Sequence, residues 1–297
     1  TEASAHRGFS APRLQRTEVE VHGSGSASTM SREEEAARHS HGFSQGGAMD
    51  IDQTCPTDLK GRPFDLPVDS EHKACKIKIL SFAKPHMRAF HLSWMSFFCS
   101  FVSTFAAAPL IPIIREDLDL TQSEVANAGI AAVTGTIMCR IALGTICDVV
   151  GPRYGVCLLL LGATPAVYGM ALADGPISFI LCRFFIGFAL SCFVATQFWS
   201  SVMFNGKIVG TANATTGGWG NLGGGVTQFL MPAVYAGMLT YGPPFKAWRL
   251  SFFVPGSLHI LVGTAVLFLS QDLPDGQYSE VIKSGQMAKA NGLKVFV

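Results

Sequence analysis

Between residues 90 and 270 the chain runs through six successive apolar segments, each long enough to cross a bilayer core of about 30 Å. They occupy 90–114, 125–146, 154–173, 177–202, 208–235 and 250–269. Asp174-Gly175-Pro176 and Gly242-Pro243-Pro244 punctuate two of the short connections. A buried helix of a soluble protein shows polar residues every third or fourth position, and these segments mostly do not. The expected fold is an all-α membrane protein with six transmembrane helices. Only 14 % of the residues are charged, against about 25 % in soluble domains, which argues the same way. Basic and acidic residues number 22 and 21, so no charge excess suggests a nucleic-acid partner.

Four regions follow from composition. Residues 1–48, rich in Gly, Ser, His and Glu, bury little and are expected to be a disordered N-terminal extension. Met30 and Met49 are both candidate starts, with Met49 preferred, and no secretory signal is recognisable. Residues 49–89 form a cytoplasmic N-terminal segment and 90–270 the transmembrane domain. Residues 271–297 begin a cytoplasmic central loop; its apolar end at 293–297 reads as the approach to a seventh helix, with the chain truncated before it.

Orientation follows from basic residues near the helix ends. With the N-terminus inside, the cytoplasmic side collects Lys73, Lys76, Lys78, Lys84, Arg88, Arg153, Lys207, Lys283, Lys289 and Lys294. The opposite side collects Arg115, Lys246 and Arg249. Both ends are therefore expected in the cytoplasm.

The eight cysteines are irregularly spaced and form no C-x-x-C pair, which leaves zinc, haem and redox motifs unsupported. No cofactor or metal is expected. Enzymatic chemistry is equally unsupported, because no Ser/His/Asp set or paired carboxylate emerges and His259 stands alone in an apolar segment.

Polar residues at membrane depth carry the functional signal. Arg140 and Arg183 lie inside the second and fourth segments, while no Asp or Glu lies within any of the six. A buried arginine costs several kcal/mol unless paired, from about 2.5 upwards. With no internal carboxylate, an anionic ligand is a natural counter-charge; backbone carbonyls or a water-filled cavity are the alternatives. The fifth segment contains Gly217, Gly218, Gly220, Gly223, Gly224 and Gly225 around Asn221. Glycines there let another backbone approach, with Gly220 and Gly224 as a GxxxG pair, and Asn221 either joins helices or faces a substrate path. Gly218, Gly220 and Gly223 spell a dinucleotide fingerprint, but the preceding strand and the following acid are missing. At the inner end of the second segment, Gly144, Asp148, Gly151 and Arg153 cluster around a Gly-Pro turn, where Asp148 and Arg153 can bond helix ends or each other.

That cluster resembles the G-x-x-x-D-x-x-G-x-R signature of the major facilitator superfamily. Arg183 to Gly187 (RFFIG) resembles the superfamily's arginine motif on helix four. The run from Gly217 to Gln228, GGWGNLGGGVTQ, resembles the nitrate signature of the nitrate/nitrite porter family, in the manner of plant and algal high-affinity nitrate transporters. The similarity extends from about residue 64 to the end and includes Ala247-Trp248-Arg249 and Gln271-Asp272-Leu273-Pro274-Asp275-Gly276.

The resemblance implies the N-terminal half of a twelve-helix transporter that works by alternating access. It implies Arg140 and Asn221 as nitrate-binding residues, with Gly144, Asp148, Gly151, Arg153, Arg183 and Gly187 as gating or structural positions. It further implies symport of protons with nitrate and possible use of nitrite, a single-span accessory protein as partner, and residence in the plasma membrane. A truncated, transport-inactive sensor or interaction protein is the alternative from another class.

Overall fold

Punctuation in the sequence sets the helix ends, as the computed structural model of residues 56–285 makes visible. The expected extension at 1–48, Met30 and Met49, and the apolar end at 293–297 lie outside the described residues. α1 (His86–Phe105) passes through a tight turn at Ala108–Leu110 into α2 (Ile111–Asp117), giving a first span of 32 residues. Thr121 then caps α3 (Gln122–Val150): its hydroxyl accepts from the Glu124 N–H at 3.3 Å, and the Glu124 carboxylate accepts from the Thr121 N–H at 2.8 Å. Gly151 at φ +90° followed by Pro152 at the first helical position ends α3 and starts α4 (Pro152–Gly169).

The fourth span is α5 (Pro176–Gly187) and α6 (Cys192–Met203), joined by a 3-10 turn at Phe188–Ser191. α7 (Val209–Met238) is the fifth. α8 (Pro244–Ser251) and α9 (Phe253–Leu269) make the sixth, and a short α10 (Tyr278–Lys283) follows. Among the described residues only isolated bridges break the helical pattern.

All six expected segments are helical, but only five are both long and apolar enough to cross a membrane by composition. The exception is α7. Its 30 residues reach about 45 Å at 1.5 Å per residue, so length is ample. Glycine, threonine and asparagine dilute its apolar content because its buried stripe is made of small residues: Ala212, Thr216, Gly217, Gly220, Gly223 and Thr227.

Two apolar clusters fill the bundle. One gathers Phe90, Leu143, Leu160 and Trp199 toward the end that carries the N-terminal segment; the other gathers Leu110, Ile114, Phe179 and Trp248 toward the Asp117 end. Elsewhere the apolar content faces outward. Ile130, Val133, Ile137 and Ile141 of α3, with Leu222 and Phe229 of α7, are all more than half exposed. An exposed apolar face this extensive requires lipid or further helices around it.

Residues 56–85 fold over the α1 end of the bundle. The Ala74 N–H donates to the Met203 carbonyl and the Asn205 N–H to the Ala74 carbonyl, both at 3.0 Å. Asn205 also reaches the Asp69 carboxylate at 2.5 Å, and His72 Nδ1 lies 2.5 Å from the Asp275 carboxylate.

Candidate functional site

The glycine-rich stretch lies along α1. A Cβ on Gly220 would overlap the Phe97 ring, and one on Gly223 would overlap the Phe98 carbonyl. Gly224 is looser, with the Phe101 ring at 3.2 Å, while Gly218 and Gly225 meet nothing within 4 Å. The close approach therefore uses Gly220 with Gly223, one step away from the expected Gly220–Gly224 pair. Position 223 falls opposite backbone, and position 224 falls opposite a ring that can turn aside.

Gly217 sits one turn earlier and faces the fourth span: its Cβ would stand 3.8 Å from the Phe193 ring and 3.7 Å from Gln197 Nε2. Gln197 in turn donates to the Asn213 carbonyl at 3.3 Å. Asn213, Gly217 and Asn221 are spaced by four, so they form one row along α7. Asn221 continues this row and is exposed.

The two arginines at membrane depth part company. Arg183 donates to the Thr104 carbonyl at 2.5 Å and so ties α5 to α1. This is the backbone-carbonyl alternative. Next to it, α3 and α5 are in direct contact: a Cβ on Gly187 would overlap the Ala132 carbonyl and one on Gly135 the Phe184 carbonyl, while Thr136 Oγ1 donates to the Gly187 carbonyl at 2.7 Å. Arg140 behaves differently. Its guanidinium carbon lies 5.8 Å from the centre of the Phe193 ring, and the residue is exposed. Among the described residues no carboxylate or carbonyl is paired with it. Phe193 thus has Arg140 over one side and Gly217 against another, with Asn221 a turn beyond.

The Gly144–Arg153 signature ends in a buried latch. Asp148 and Arg153 do not pair with each other. The Arg153 N–H donates to Asp272 Oδ1 at 3.0 Å, and Arg153 Nε lies 3.8 Å from Asp272 Oδ2. The Arg153 fork also donates to the Leu267 carbonyl at 3.2 Å and the Ser270 carbonyl at 3.4 Å. Tyr278 completes the knot: its N–H donates to Asp272 at 3.2 Å and its hydroxyl donates to the Asp148 carbonyl. Burial pushes the Asp272 carboxyl above its ordinary range, and the Tyr278 N–H and Arg153 oppose that. Gly151 is needed here twice, for its positive φ and because a Cβ would stand 2.7 Å from the Asp272 carboxylate. Gly144 meets nothing within 4 Å.

Phe193 and Asp272 carry parts of the site that spacing did not single out. Asp272 was visible only as part of the Gln271–Gly276 similarity, and Phe193 resembled any other aromatic in an apolar run. At the opposite end, Asp117 accepts from Arg249 at 2.5 Å and from the Trp248 indole at 3.0 Å, closing the first span against the sixth.

Apolar spans, a lipid-suited outer face and arginine at membrane depth define a multi-pass membrane protein of the helical transporter class. The family model of the Major Facilitator Superfamily matches residues 93–295, and the chain belongs to that superfamily. Its six-helix bundle is the N-terminal half of the twelve-helix fold.

The chain is similar to high affinity nitrate transporter 2.5 of Arabidopsis thaliana, at 53 % identity over 78 % of this chain and 48 % of that protein. It is also similar to high-affinity nitrate transporter 2.3 of Oryza sativa subsp. japonica, at 51 % over 77 % of this chain and 45 % of the relative. With nitrate transporter 2.1 of Chlamydomonas reinhardtii the identity is 50 %, over 79 % and 43 %. The chain spans about half the length of the curated relatives it matches.

Proposed function

We propose that this chain supplies the nitrate-binding N-terminal half of a plasma-membrane transporter, with Arg140 as the cation that grips the anion and Asn221 as its neighbouring donor. The observation that carries the reading is the uncompensated Arg140 guanidinium beside Phe193, on a bundle whose relatives are named nitrate transporters. A guanidinium fork offers two parallel N–H donors in one plane, which suits planar, weakly hydrated nitrate and also accommodates nitrite. The Asn221 amide can add a third donor from α7.

Alternating access would rock this half against a second half across the site. Arg183 and the Gly135–Gly187 contact would keep α1, α3 and α5 moving as one body. Asp148, Gly151 and Arg153 would hold the cytoplasmic ends of the second, third and sixth spans together during the motion. Protons are the proposed coupling ions and a single-span protein the proposed accessory partner, both from the family resemblance.

The test is tracer nitrate uptake against concentration and external pH, in cells lacking their own uptake system and expressing the full-length transporter that carries this half. Saturable uptake that rises on external acidification, and that weakens with Arg140→Lys, supports the reading. Surface-expressed protein that moves no nitrate under any condition would favour a transport-inactive sensor instead.

A further inference from the structure

Where the N-terminal segment meets the end of the sixth span, the surface opens into a polar cavity of about 310 Å³. Its cationic walls come from Lys60, Arg62, Lys84 and Arg88. Two of these cations are already engaged: Lys60 Nζ pairs with Glu280 at 3.0 Å and Arg62 with Asp58 at 2.6 Å. The other two have no carboxylate partner among the described residues. Arg88 donates only to the Leu269 carbonyl, at 3.3 Å. The second acid of the wall, Asp65, accepts from the Lys84 backbone N–H at 2.9 Å and not from its ammonium.

The rim of this cavity is apolar. At the end of the sixth span its lining includes Phe268, 75 % exposed, and Leu269, 54 % exposed, while the stretch preceding Lys84 carries Leu80, 98 % exposed, and Phe82, 67 % exposed. Leu80 and Phe82 belong to a stretch that also carries the exposed Lys76 and Lys78, which pair with no carboxylate among the described residues. Phe82 is held in place by its ring, 4.5 Å from that of His91, and His91 bonds the Ser81 carbonyl at 3.1 Å. Exposed aromatic and aliphatic side chains beside these lysines, at the level where two spans leave the bilayer, have the composition of a membrane-interface anchor.

The geometry points to a binding site for the phosphate of an anionic phospholipid in the cytoplasmic leaflet, gripped by Lys84 and Arg88 and flanked by Phe268 and Leu269 against the acyl region. The shared chemistry is a pair of anionic phosphate oxygens, which free phosphate could also supply. The apolar rim favours the lipid, because a free ion gains nothing from it. This site is separate from Arg140 and stands whether or not the protein carries nitrate. It rests on the orientation that puts the N-terminal segment inside.

The experiment uses the purified full-length protein in neutral detergent and reads the thermal unfolding midpoint. Short-chain phosphatidylglycerol, short-chain phosphatidylcholine and inorganic phosphate are titrated separately. Phosphatidylglycerol should raise the midpoint saturably, while phosphatidylcholine and phosphate do not, and raising salt should weaken the effect. Lys84→Gln removes an ammonium that bonds nothing among the described residues, so it should leave the unliganded midpoint unchanged and weaken the lipid at least fivefold. Phe268→Ser should do the same from the rim. Equal responses to both lipids would overturn the proposal, as would full saturation by inorganic phosphate. Undiminished lipid affinity in Lys84→Gln would overturn it as well.

Discussion

A guanidinium at membrane depth must find acceptors, and Arg183 finds one in the Thr104 carbonyl 2.5 Å away. Arg140 has no such partner among the described residues, so its hydrogen-bonding fork remains available. The two should therefore answer differently to the same change. Arg140→Lys keeps the charge and loses the planar fork. One charge-assisted hydrogen bond is worth about 1.5–3 kcal/mol, so half-saturation for nitrate should rise roughly tenfold to a hundredfold. Uptake against concentration, corrected for surface protein, measures this; an unchanged half-saturation would remove Arg140 from the site. Arg183→Lys still offers one donor to Thr104 and should leave half-saturation near wild type. Arg140 was legible in the sequence because charge in an apolar run has few explanations. Phe193 was not, because an aromatic in a span is usually packing, and only the fold brings it under Arg140.

At the scale of the element, α7 was legible as a helix of unusual composition, and its use of that composition was not. Spacing alone marked Gly220 and Gly224, whereas the partner backbone at Phe98 selects Gly223. Ala at 223 should force the two helices apart, and overpacking of this kind costs about 1–3 kcal/mol. Ala at 218 meets open space and should be silent. Detergent-solubilised yield and unfolding midpoint for the two variants test the contrast. Equal behaviour would mean that α7 and α1 do not meet as described. The latch around Asp272 makes a second case. Asp272→Ala leaves Arg153 buried without its carboxylate, and breaking a buried pair costs about 3–5 kcal/mol. Asp272→Asn keeps one acceptor oxygen, enough for either the Arg153 or the Tyr278 N–H but not both, and should lose less than alanine, as read by the same midpoint. No periodicity could have revealed this pair, since its members lie 119 residues apart, one at the start of the third span and the other just past the end of the sixth.

The whole molecule was the most legible scale, because crossing a bilayer leaves few solutions: long apolar helices joined by short turns. Single-cysteine labelling at Asp117 and at Lys60 should report opposite sides, with Lys60 cytoplasmic. Labelling of Lys60 from outside would invert the orientation. The chain spans about half the length of the curated relatives it matches, so expressed alone it should not accumulate nitrate. Tracer uptake settles the point, and clear accumulation would mean that six helices form a pathway by themselves.

The latch also sets a clock on biogenesis. Arg153 leaves the ribosome 119 residues ahead of Asp272, which at about 5–20 residues per second is roughly 6–24 s. Throughout that interval the third span waits in the membrane with a cation that has nowhere to go but the water at the bilayer surface. A chain interrupted before residue 272 therefore keeps Arg153 without its carboxylate partner.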